Sequence, residues 1–172
     1  MMRYTRENYI KWAAYGILLL VVFLIQTSYR FQFSLFGIRP DLIPFYIAAI
    51  ALFEGPACAG TTGFFAGLLC DFTRSGIDGF FPFYYVCFGV LAGLAAEKYF
   101  RKNILSGLVI GSFLSVFRNL CEYVFYYGLI LRAPFLIGMR ITFTELIASF
   151  FLSPLVYFSV SLINRHFAEE ED

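Results

Sequence analysis

Histidine is almost missing from this chain. His166 is the only one in 172 residues, and it follows the last apolar run. It belongs to no metal-ligand pattern and reads as a solvated side chain. The four cysteines, Cys58, Cys70, Cys87 and Cys121, are scattered through apolar stretches and form no C-x-x-C pair. Zinc-binding and dithiol motifs are therefore absent, and buried thiols of this kind behave as small hydrophobes. The glycines are not followed by Lys-Ser/Thr and open no phosphate loop, and there is no nucleophile elbow. No general base stands beside a nucleophile, so no catalytic residue, no metal and no cofactor is expected. Charge is also scarce. Only 15% of residues are Asp, Glu, Lys or Arg, the net charge is +1, and no basic block could neutralise a nucleic-acid backbone.

What fills the chain instead is apolar. Hydrophobic residues make up 60% and aromatics 21% of it, and the mean hydropathy is +0.74. A soluble domain of this size could not bury so much apolar surface. Composition thus points to one compact domain embedded in a membrane. Trp12–Tyr29 is long enough to cross a bilayer. It follows Arg3, Arg6 and Lys11, lacks a small-x-small cleavage site, and reads as an uncleaved first span. Phe31–Gly37 is expected to lie along the membrane surface. Arg39-Pro40-Asp41 then opens a helix over Leu42–Phe53, with Asp41 as its N-cap and Pro44 in the first turn. At roughly 18 Å this helix is short for a core of about 30 Å. Glu54-Gly55-Pro56 breaks it. Further runs follow at Ala57–Cys70, Phe80–Ala96, Ile104–Leu131 and Thr142–Ile163, the last with Pro154 as an expected kink.

Lysine and arginine give the orientation. One basic group is Arg3, Arg6 and Lys11, and another is Lys98, Arg101 and Lys102. Placing both in the cytoplasm requires an even number of crossings between them. The reading is therefore an all-α, six-helix transmembrane bundle over residues 12–163. A cytoplasmic N-terminus (1–11) precedes it and an acidic cytoplasmic tail (164–172) follows. A re-entrant hairpin at 42–70 gives the same parity. Small residues recur four apart, as at Ala59, Gly63 and Gly67, Gly89 and Gly93, and Gly107, Gly111 and Ser115. Such stripes let helices approach closely, either within the chain or toward a partner helix. Arg118, Glu122 and Glu145 are charges within apolar runs, at similar depth near the outer side. Arg118 is expected to pair with Glu122, Glu145 or both. With Asp71, Arg74 and Asp78 they could line an outward-facing polar recess.

The most distinctive stretch is Gly63–Gly79, GFFAGLLCDFTRSGIDG. Small residues recur every fourth position until Asp71 ends the apolar run, and a polar turn follows. Gly63, Gly67, Asp71 and Gly79, together with Arg-Pro-Asp-Leu at Arg39–Leu42, resemble the rod shape-determining protein MreD family. Arg118 and Glu122 have no counterpart in that pattern. The resemblance implies a non-enzymatic scaffold of the bacterial elongation complex in the inner membrane, supporting lateral peptidoglycan synthesis and cell shape. It implies an MreC-like single-span protein as partner, and MreB, RodA and penicillin-binding protein 2 as further members of the assembly. It also implies a fold similar to the substrate-binding subunits of energy-coupling-factor vitamin transporters, which supplies the alternative function. Ala13-Ala14-Tyr15-Gly16 lacks the extended small-residue stripe with which such a subunit docks its motor.

Overall fold

The computed structural model describes residues 2–27, 40–73, 79–124 and 135–168. Six helices account for nearly all of them: α1 (Met2–Thr27), α2 (Ile43–Glu54), α3 (Pro56–Thr73), α4 (Phe80–Tyr99), α5 (Ile104–Glu122) and α6 (Phe135–Ala168). Among the described residues, four segments are long and apolar enough to cross a membrane: Tyr9–Thr27, Phe80–Tyr99, Ile104–Glu122 and Thr142–Phe167.

The short helix α2 is the centre of the molecule. All ten residues from Ile43 to Leu52 are buried. It packs against each of the other five helices, and these form a closed ring around it in the order α1, α3, α4, α5, α6. Among the described residues, each ring helix touches only its two neighbours and α2. A helix apolar on every side must be enclosed or face lipid, and here the ring encloses it. At roughly 18 Å it is shorter than every helix of the ring, four of which are long and apolar enough to cross a membrane.

Local chemistry sets the ends of α2. Pro44 sits in the first turn, where a missing N–H has no helical partner. The expected N-cap is corrected: Leu42 holds that position with no side-chain cap bond. Asp41 does not cap because its carboxylate is taken by a cation from another helix, described below. At the other end Gly55 has φ 85°, a conformation that disfavours any side chain. Its carbonyl accepts the Ala59 N–H at 3.1 Å. One residue therefore ends α2 and begins α3, and Pro56 occupies the first position of α3.

Glycine joins α3 to α4. A Cβ on Gly63 would stand 2.4 Å from the Tyr85 carbonyl oxygen, and one on Gly67 2.4 Å from Pro82 Cα. From the other side, a Cβ on Gly93 would meet Pro56 Cα at 2.3 Å. The two backbones are thus in contact along their length, the arrangement that small residues permit in lipid. The stripe on α5 is filled in the same way, with Gly107 against Tyr157 and Gly111 against Phe45. Ser149 and Ser153 of α6 are buried.

The helices alternate in direction. Gln26 of α1 meets Asp41 at one end of α2, and Lys11 of α1 meets Glu54 at the other. Asn164 near the end of α6 also reaches Glu54. Lys102, just before α5, donates to the Phe53 carbonyl at 3.3 Å. One end of the bundle therefore holds Lys11, Lys102 and the end of α6, and the opposite end holds Gln26, Asp41 and Asp71.

One expectation of length is corrected, at the last helix. Within the apolar run Ile104–Leu131, α5 extends to Glu122, and residues 125–131 lie outside the described residues. Tyr123 still donates its N–H to both Asn119 and Leu120 carbonyls, a shared bond typical of a helix terminus. Helix α6 begins before Thr142 and keeps Pro154 inside it. The first basic segment is helical from Met2 onward. Phe31–Gly37, Arg39, Arg74, Asp78 and the acidic tail 169–172 lie outside the described residues.

Candidate functional site: the two polar ends of the central helix

The charges within the apolar runs converge on the first residues of α2. Arg118 of α5 is 1% exposed and Asp41 2%. The Arg118 Nη1 and Asp41 Oδ2 atoms form an ion pair at 2.6 Å. Arg118 Nη2 donates to Glu145 Oε2 of α6 at 3.2 Å and to the Asn119 side-chain oxygen. Asn119 Nδ2 donates to the same Glu145 oxygen at 3.1 Å. The expected Arg118–Glu145 pair is therefore present, and Asp41 is the partner that sequence reasoning missed. Glu122, one turn further along α5, adds its field at the guanidinium.

Neutral side chains complete the cluster. Gln26 Nε2 donates to Asp41 Oδ1 at 2.8 Å, and Gln26 Oε1 accepts the Leu42 N–H at 3.1 Å. The Asp41 N–H donates to Ser149 Oγ at 2.7 Å, and that hydroxyl donates to the Glu145 carbonyl at 2.7 Å. Helices α1, α2, α5 and α6 are thus tied at one point. Desolvating an isolated charge is very costly, so each member is held in place by the others.

A second cluster lies at the opposite end of α2. Glu54 Oε1 accepts from Lys11 Nζ at 2.7 Å, Tyr15 Oη at 2.8 Å and Asn164 Nδ2 at 2.7 Å. Tyr46 of α2 in turn donates its hydroxyl to the Tyr15 carbonyl at 2.8 Å. The sequence marked Glu54 only as part of a helix break. Its place beside Gly55-Pro56, at the end of a fully apolar helix, was the available signal.

The motif residues have structural partners of their own. Asp71 Oδ2 accepts the Gly79 N–H at 2.6 Å, and its Oδ1 accepts the Phe81 N–H at 3.4 Å. Asp71 therefore satisfies backbone donors at the start of α4, where a negative charge is favoured. Gly79, with φ 82°, makes the turn into α4. Gly63 and Gly67 face α4, and Pro40 is buried beside Asp41. The structure thus gathers Asp41, Arg118 and Glu145 into one site, while Asp71 and its glycines form another along α3 and α4.

A cavity of about 280 Å³ opens between α5 and α6 beside the first cluster, lined by Val116, Leu120, Tyr123, Met139 and Phe143, with Asn119 at its edge. Among the described residues no group of three His, Cys, Asp or Glu could hold a metal ion. Compared with protein-family models, curated proteins and solved structures, the chain matches none.

Proposed function

We propose that this chain is a membrane scaffold of the bacterial elongation complex, without catalytic activity of its own. Its resemblance to the MreD family implies that it supports lateral peptidoglycan synthesis by binding an MreC-like single-span protein. The observation that carries this reading is the double tether of α2. Asp41 and Glu54 fasten both ends of the central helix to the ring. Among the described residues, Asp41, Arg118 and Glu145 are engaged with one another and Asp71 with backbone N–H groups of its own chain. A ring locked in this way presents a fixed apolar exterior, which suits binding of another helix. In this reading the lysine-bearing end faces the cytoplasm with both termini, and all six helices belong to the bundle.

The glycine stripes are occupied by the chain's own helices. The partner helix is therefore proposed to meet the outer faces of the ring, such as the side of α1 that exposes Ile17, Leu20 and Leu24. The test is a pull-down of the full chain from native membranes. Co-purification of MreC supports the scaffold. Co-purification of an energy-coupling module without MreC overturns it in favour of the vitamin-transporter subunit. A replacement strain carrying Asp71→Ala should insert the protein normally but lose rod shape, and normal shape would count against the proposal.

A further inference from the structure

Beyond the scaffold reading, and independent of it, the exterior carries a charged surface that the two clusters do not use. Residues 100–103 connect α4 to α5, and Lys98 and Tyr99 lie in the last turn of α4 just before them. Lys98, Arg101 and Lys102 are all exposed there. The acid next to them in sequence, Glu97, places its carboxylate over Gly55, on the α2–α3 junction, and Glu54 is engaged by Lys11. Three cations thus stand within five residues, and among the described residues none of them is in an ion pair. Lys102 Nζ is anchored on the Phe53 carbonyl at 3.3 Å, and Lys98 Nζ lies 5.3 Å from the centre of the Tyr99 ring.

The same segment exposes apolar side chains. Tyr99 is 73% exposed and Leu105 70%. Leu105 begins a stripe that continues through Val109, Phe113, Val116 and Leu120 along the outside of α5, all of them exposed. That stripe belongs to a helix long and apolar enough to span a bilayer. The cations therefore stand where the hydrocarbon ends, at headgroup depth, with an aromatic ring and an aliphatic side chain on the acyl side. Basic residues at this depth attract anionic lipid, and a tyrosine beside them suits the interface.

We infer that Lys98, Arg101 and Lys102 form a binding site for the headgroup of an anionic phospholipid, whose chains lie along Leu105 and the outer face of α5. Charge complementarity favours a phosphate carried by a lipid without a compensating amine. The continuous apolar stripe favours a lipid over a free anion.

The experiment titrates the full-length protein in neutral detergent with phosphatidylglycerol, phosphatidylcholine or inorganic phosphate, read by native mass spectrometry. Phosphatidylglycerol should be retained in preference to phosphatidylcholine. The triple variant Lys98→Gln, Arg101→Gln, Lys102→Gln should bind it about a hundredfold more weakly, from the contribution of each cation near a lipid surface. The charge-keeping variant Lys98→Arg, Arg101→Lys, Lys102→Arg should retain binding. So should Arg140→Gln, which removes an exposed cation nearer the other end. Unchanged affinity in the triple Gln variant, equal retention of phosphatidylcholine, or displacement by millimolar inorganic phosphate would each overturn the inference.

Discussion

Replacing Arg118 by methionine would test the central feature of this structure. The side chain is 1% exposed and pairs with an equally buried Asp41 at 2.6 Å. The substitution keeps much of the aliphatic volume but leaves Asp41 without its cation. Gln26 still donates one hydrogen bond to Asp41, but a neutral amide cannot balance a buried carboxylate. Removing one partner of a buried pair costs about 3–5 kcal/mol. For a chain of this size each kcal/mol lowers the melting temperature by about 2–4 °C, so a drop of about 6–20 °C is expected. The double variant Asp41→Asn, Arg118→Met removes both charges and should recover more than half of the loss. Glu145 is left, but its side chain is 20% exposed and so less buried than the Asp41–Arg118 pair. The assay is thermal unfolding of purified protein in detergent, arranged as a double-mutant cycle with a coupling of about 2 kcal/mol or more. Single variants within about 1 kcal/mol of the parent, or strictly additive effects, would refute the claim that this pair holds α2 in the ring.

Glycine supplies a second test. Gly67→Ala places a methyl group 2.4 Å from Pro82 Cα and should destabilise by about 1–3 kcal/mol. Gly16→Ala, with nothing within 4 Å, should be neutral or stabilise by up to about 1 kcal/mol in the same unfolding assay. Glu54→Ala strips three donors of their acceptor at the opposite end of α2 and should cost about 2–4 kcal/mol. A Glu54→Ala protein as stable as the parent would show that this tether is not needed. Thr73→Cys and Arg101→Cys lie at opposite ends of the bundle and should be labelled by impermeant reagents from opposite sides of the membrane. Labelling of both from one side would refute the alternating arrangement.

Sequence alone determined where the apolar helices run, because transfer energy and helical rise are local properties summed along the chain. The short run after Asp41, the break at Gly55-Pro56 and the shared depth of Arg118 and Glu145 were all legible in this way. So was the closeness permitted by Gly63 and Gly67, although not which neighbour would use it. Tertiary structure decided that α4 fills that stripe, that α2 is enclosed by a ring, and that Asp41 serves Arg118 instead of its own helix end. Glu54 becomes a meeting point for Lys11, Tyr15 and Asn164 only once α1, α2 and α6 are packed. Such pairings depend on which faces of separate helices are brought together. That is fixed by the packing of the whole ring at once, and no local window of residues contains it.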